Sequence, residues 1–182
     1  MRMPDSTVRK VGLATFIDAN TRVLILGSLP GDESLRLQQY YANPRNHFWP
    51  IMADILGFDL ELPYPERLLA LRARGVGLWD VLHSAERKGS LDGNIVKPVV
   101  NDFDGLTQQC PRLQMLLLNG SKAEVSFRRN VLPSQTISAQ ANIPFRRCPS
   151  TSPVPGRNVP NFQEKLVLWR NALEIIAFAR RT

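Results

Sequence analysis

Three short stretches hold the residue types that could do chemistry on a ligand. Gly27-Ser28-Leu29-Pro30-Gly31 has two glycines that let backbone approach a ligand closely, and a proline that fixes the loop's direction. Tyr40-Tyr41-Ala42-Asn43-Pro44-Arg45-Asn46-His47-Phe48-Trp49 joins a tyrosine pair to two carboxamides. Cys148-Pro149-Ser150-Thr151-Ser152-Pro153 sets three uncharged hydroxyls between two prolines. A tyrosine ring can stack on a nucleobase for roughly 1–3 kcal/mol per base. Hydroxyls and N–H groups on a stiff loop suit phosphate oxygens. Together the stretches point to a polyanion that carries a flat ring.

Other chemistries are poorly supplied. The glycine loop lacks the Gly-Lys-Ser/Thr ending of a phosphate-binding P-loop, and it is no dinucleotide fingerprint. His47 and His83 are the only histidines, and neither sits in a metal-ligand pattern or a nucleophile elbow. Cys110 and Cys148 are too few for an iron–sulfur cluster and lack zinc-site spacing. They read as small buried hydrophobes. No metal and no cofactor is expected. A net charge of +7 and a pI near 10.0 favour nucleic acid or another polyanion. Arg128-Arg129, Arg146-Arg147, Arg157 and Arg180-Arg181 are dispersed, so any basic face must be assembled by folding. Each stretch also has a plain reading: a turn at 27–31, a strand exit at 149–153, and a tyrosine pair packed on the core. Asn43 would be an N-cap with Pro44 in the first helical position and Asn46 in the third.

The elements that must position these stretches follow from apolar pattern. With 182 residues, 43% of them hydrophobic, the chain is expected to form one domain over 1–182, with 1–20 as an N-terminal extension. No apolar run could span a membrane and residues 1–10 lack a signal-peptide core, so a cytoplasmic protein is expected. Residues 22–26 and 113–118 are continuous apolar runs, as in strands covered on both faces. Further strands are expected at 76–82 and 144–148, with a short extended piece at 137–140. Helices are expected over 44–56, ended by Gly57, and 65–74, ended by Gly75. A short helix should run from an Asp102 cap to Cys110. Ser121 with Glu124 predicts a capping box for a helix to Val131, and Asn161 with Glu164 another for the last helix. That helix shows Phe162, Leu166, Trp169, Leu173 and Ile176 at helical spacing. The alternation implies an α/β fold: a three-layer α/β/α sandwich around a short, mostly parallel four-stranded sheet. Right-handed crossovers then gather the loops at 27–31 and 149–153 on one sheet edge.

Taken together, the three stretches resemble the uracil-DNA glycosylase superfamily, and within it the hypoxanthine-DNA (deoxyinosine) glycosylases. Gly75-Val76-Gly77-Leu78-Trp79-Asp80-Val81-Leu82, Asp92-Gly93-Asn94-Ile95 and Asn119-Gly120-Ser121-Lys122-Ala123 add to the resemblance, in the family's order. It implies excision of a flipped deaminated base from DNA, above all hypoxanthine. No lysine stands out in these loops, so a monofunctional enzyme without a Schiff base is expected, and a monomer. Mismatch-specific uracil glycosylases carry Asn where this chain has Leu29. The deoxyinosine branch shares that departure, and the resemblance carries the catalytic role to Asn43, with Asn46 beside it. Gly27, Ser28, Leu29, Pro30, Gly31, Tyr41, Phe48 and Asn119 are the implied base-binding residues. Ser150, Thr151, Ser152, Pro153 and Arg157 are the implied DNA contacts. Three rivals stand beside this reading: a uracil or mixed-specificity glycosylase, a lesion-binding module without catalysis (for which Leu29 speaks), and a small-molecule hydrolase.

Overall fold

A computed structural model describes residues 8–134 and 143–177. The extended piece expected at 137–140, the Arg180-Arg181 pair and the Ile176 side chain lie outside the described residues. In chain order, the elements are β1 (Arg9–Val11), β2 (Val23–Gly27), α1 (Asp32–Leu37), α2 (Phe48–Leu56), α3 (Tyr64–Ala73), β3 (Val76–Asp80), β4 (Leu82–Glu86), β5 (Val96–Val100), α4 (Leu106–Gln109), β6 (Met115–Asn119), α5 (Ser121–Asn130), β7 (Phe145–Cys148) and α6 (Phe162–Ala177).

Four of the strands form a parallel sheet in the order β3-β2-β6-β7. Its centre is the pair of apolar runs: Val23, Leu24, Ile25 and Leu26 beside Leu116, Leu117 and Leu118, all with no exposed surface. Successive side chains point to opposite faces. Val23, Ile25 and Leu117 join one core with Ile51 and Met52 of α2, Leu71 of α3, and Trp169 and Leu173 of α6. Leu24, Leu26, Leu116 and Leu118 join the other with Phe103, Leu106 of α4, and Ala123 and Phe127 of α5. This is the expected α/β/α sandwich.

Several local expectations are corrected. The strand expected over 76–82 divides at Val81, where the chain leaves the parallel sheet. It continues as β4 in a second, antiparallel sheet of order β1-β4-β5, with register shifts between Leu82 and Glu86. The helix expected from residue 44 begins at Phe48. Asn43 does not cap it. Its Oδ1 accepts the Arg45 N–H at 2.9 Å, and the Asn46 Oδ1 accepts the Phe48 N–H at 2.9 Å. Two successive side-chain turns thus occupy the ground of a first helical turn. Gly57 does end α2, at φ 71°. Ser121 is the first residue of α5 rather than its cap, because Gly120 at φ 92° makes the turn. Glu124 faces Arg128 and Arg147 instead. Asp102 stands ahead of a shorter helix that starts after Gly105. The box at α6 forms as expected: Glu164 N–H to Asn161 Oδ1 at 3.0 Å, and Asn161 N–H to Glu164 Oε2 at 2.7 Å.

Candidate active site

The strands β3, β2, β6 and β7 end on one edge, as parallel topology requires, and a cleft of about 810 Å³ opens there. Gly27, Ser28, Leu29, Pro30 and Gly31 follow β2 and line it. Asn119 ends β6, and Ser150, Thr151, Ser152 and Pro153 follow β7; all line it too. Tyr41, Asn43 and Asn46 close the remaining side. Segments far apart in sequence therefore face one space.

Two predicted site residues stand elsewhere. Phe48 has no exposed surface. Its ring stacks against that of Tyr41, centroids 3.8 Å apart and planes 18° off parallel, and it does not line the cleft. Arg157 is exposed and not part of the cleft wall.

The glycine loop is held from behind by a buried cation. Arg87 is 1% exposed and donates to the carbonyls of Leu29, at 3.2 Å, and Pro30. Its partner Asp92, 4.0 Å away, accepts the Ser28 hydroxyl at 2.7 Å. Arg87 thereby fixes two carbonyls with a planar fork that Lys could not reproduce. Gly27 is required by close packing: a Cβ there would stand 2.5 Å from Asp80 Oδ1 and 3.5 Å from the Tyr41 hydroxyl.

The serine-rich loop is tied down at four points. Asn119 Nδ2 donates to Thr151 Oγ1 at 2.9 Å, and the Thr151 N–H donates back to Asn119 Oδ1 at 3.0 Å. The Thr151 carbonyl accepts the His47 N–H at 2.9 Å, at the entry to α2. Trp169 Nε1 donates to the Pro149 carbonyl at 3.0 Å. Buried Lys165 donates to the Ser152 carbonyl at 3.1 Å, with His47 Nδ1 3.5 Å from its ammonium. Burial, then the Lys165 charge, hold the His47 imidazole below its ordinary range, and burial lowers Lys165 as well. The amide of Asn119 and the hydroxyl of buried Thr151 are thus occupied with each other. Ser150 and Ser152 remain on the open side of the loop, although each hydroxyl accepts a backbone N–H two residues on.

Tyr41 holds φ at 55°, a conformation costing of order 1–3 kcal/mol for a non-glycine residue. Its hydroxyl is buried without a hydrogen-bond partner, and burial pushes the phenol far up. Asn43 and Asn46 both use Oδ1 on backbone N–H groups, which leaves Nδ2 as the group that can face a ligand. The Asn46 N–H is further fixed by the Asn43 carbonyl at 2.8 Å.

Sequence reasoning gave no site role to Asp80, Arg87, Lys165 or Trp169. Asp80 had a signal: an acidic residue at the carboxyl end of a buried parallel strand. The other three lie outside the loops and act from underneath. Cys110 and Cys148 are both buried free thiols, and burial pushes Cys148 up to about 12. Among the described residues no cluster of His, Cys, Asp and Glu could hold a metal ion, and no helix is long and apolar enough to cross a membrane.

Known proteins share both sequence and shape with this chain. The uracil DNA glycosylase superfamily profile matches residues 14–171. A protein of Methanosarcina acetivorans named hypoxanthine DNA glycosylase is 40% identical, over 70% of this chain and 86% of its own length. One of the same name from Methanosarcina barkeri is 44% identical, over 64% of this chain and 74% of its own. A solution NMR structure of a candidate uracil DNA glycosylase from Methanosarcina acetivorans superposes with a TM-score of 0.76 at 33% identity, covering 93% of this chain and 99% of the other. With the matched profile spanning the sheet, the cleft and most of the last helix, the chain belongs to the uracil DNA glycosylase superfamily.

Proposed function

We propose that this chain is a DNA glycosylase that hydrolyses the N-glycosidic bond of a deaminated base flipped out of DNA, with hypoxanthine as its principal substrate. The observation that carries the reading is the convergence of the glycine loop, the Tyr41–Asn46 turn and the serine-rich loop on one cleft. The relatives named for hypoxanthine give the choice of base.

A glycosidic bond inside a duplex is out of reach, so the nucleotide must be everted, at a few kcal/mol that a mispaired base lowers. The everted ring lies on Tyr41, whose underside Phe48 supports. Ser150, Ser152 and the N–H groups of their rigid loop meet the flanking phosphates, with Arg157 reaching DNA from outside the cleft. Breaking the sugar–base bond passes through an oxocarbenium-like state, and negative charge gathers on the departing purine. Fixed neutral donors aimed at that charge lower the barrier. The Asn43 and Asn46 amides are such donors, because their oxygens are already committed to backbone and neither amide has useful proton affinity. The bond from the Asn46 N–H to the Asn43 carbonyl locks both amides into one turn, with Asn43 as the donor that the resemblance implies and Asn46 beside it. Lys165, under the serine-rich loop and engaged with Ser152, is not part of the cleft wall, which supports hydrolysis without a Schiff base.

The test is single-turnover release of hypoxanthine by wild type, Asn43→Ala and Asn46→Ala. Asn43→Ala should lose excision at least about a hundredfold while still binding lesion DNA, in the range found for a single preorganised donor, and Asn46→Ala should lose it too. Unchanged cleavage by both variants would remove the amides from the mechanism.

A further inference from the structure

Asp80 ends β3 directly opposite Gly27, and its carboxyl fills the space a Cβ on Gly27 would need. The residue is 4% exposed and lines the cleft, and its Oδ2 is buried without a hydrogen-bond partner among the described residues. Burying a carboxylate with no partner is costly, and the least costly form in such a place is the neutral acid. The surroundings agree. β2 brings Gly27 against it. The turn before α2 brings the neutral Tyr40 and Tyr41 hydroxyls. The loop beyond β4 brings Asp92, which disfavours a second negative charge, and Arg87, which favours one. Burial dominates and holds the carboxyl up to about 7.

A neutral carboxylic acid carries one O–H, and among the described residues no group accepts it at Oδ2. Asp80 lines the cleft, so a ligand there stands beside the unpartnered carboxyl. Resting on the glycosylase reading above, we propose that Asp80 is a catalytic residue that touches the everted purine and delivers a proton to it as the base departs. The C1′–N9 bond breaks with its electron pair staying on the purine. Asp80 passes its proton to the purine anion, water adds to C1′, and the proton that water releases restores Asp80. The net reaction is hydrolysis, with no other reactant. Asn46 and Asp80 then act on one developing charge, the first as a fixed donor and the second as an acid. Proton delivery by a positioned acid contributes about 10²–10⁴-fold.

The experiment is the pH profile of single-turnover excision from a duplex containing deoxyinosine, for wild type, Asp80→Asn and Asp80→Ala, between pH 5.5 and 8.5. Binding to the same duplex carrying a non-cleavable 2′-fluoro deoxyinosine is measured beside it. The wild-type rate should be level in acid and fall about tenfold per pH unit well above 7. Asp80→Asn keeps the shape and a donor but no transferable proton. It should bind the fluorinated duplex as wild type does, cleave at least about tenfold more slowly at pH 6, and show a flat profile. Asp80→Ala should be slower still. A wild-type profile that does not fall, or Asp80→Asn with the wild-type rate at pH 6, overturns the role of Asp80 while leaving the glycosylase reading intact. Failure of wild type to release hypoxanthine at any pH overturns both.

Discussion

The mutual hydrogen bonding of Asn119 and Thr151 gives the most exposed prediction about how the cleft is held together. Replacing Asn119 with Ala removes two bonds, of 2.9 and 3.0 Å, between the end of β6 and the loop after β7. Thr151 is 1% exposed, so its N–H is left buried and unpaired. A typical hydrogen bond contributes about 0.5–1.5 kcal/mol net, and a stranded buried donor costs about 1–3 kcal/mol. The loss should come to about 3 kcal/mol, seen as a melting temperature lower by about 6–12 °C for a chain of this size. Excision should fall as well. Thr151 also holds the His47 N–H at 2.9 Å, so the same slack reaches the turn that aims Asn46. Urea unfolding of wild type, Asn119→Ala, Thr151→Val and the double variant measures this directly. The two substitutions should couple by about 1 kcal/mol, the worth of the side-chain bond they share. An Asn119→Ala variant within about 0.5 kcal/mol of wild type, with effects that simply add, would refute the tether.

Three further outcomes follow from the same geometry. Gly27→Ala places a methyl 2.5 Å from Asp80 Oδ1, and should lower stability by about 1–3 kcal/mol and excision at least about tenfold, read by thermal unfolding and hypoxanthine release. Arg87→Lys should not rescue the glycine loop, because the ammonium cannot span two carbonyls; a loss of about 3 kcal/mol is expected in urea, and wild-type stability would contradict it. Asp80 is held up to about 7, against about 3.9 in an unfolded chain, so the folded state binds the extra proton between those values. Its contribution is fully present below about pH 4 and is lost as pH rises through about 7. Relative to Asp80→Asn, wild type should therefore lose up to about 4 kcal/mol between pH 4 and pH 8. Parallel stability curves for the two proteins would show that Asp80 does not titrate there.

The parallel sheet was legible because β2 and β6 are covered on both faces, so burial is written into unbroken apolar runs. Likewise α6 announces itself by a reciprocal cap and a stripe of Leu166, Trp169 and Leu173. The antiparallel sheet was not legible. Val96 and Val99 of β5 are exposed, Pro98 interrupts the ladder, and irregular pairing of β4 erases the alternation that marks a half-buried strand. α1 buries only Ser34, so it shows no apolar face. Asn43 before Pro44 has the chemistry of a helix cap and that of a side-chain turn alike. Only the packing of Phe48 and Trp49 decides between them, by placing the first helical turn four residues later. In the site, the loops could be read because their composition is unusual. The residues that hold them, Arg87, Lys165 and Trp169, are ordinary in sequence and act through backbone carbonyls. Asp80 is marked in sequence by its place at the end of a buried strand, but that Gly27 lies against its carboxyl shows only in the fold.

The central claim is that the cleft cuts a deaminated purine from DNA. The most direct measurement incubates the purified chain with duplexes that carry hypoxanthine, xanthine, uracil or thymine opposite each normal base, and scores the free base released. Hypoxanthine should appear fastest, with the sugar–phosphate strand left intact until alkali is added. Release of uracil alone would move the chain to the uracil-cleaving reading, and tight binding without release of any base would contradict catalysis altogether.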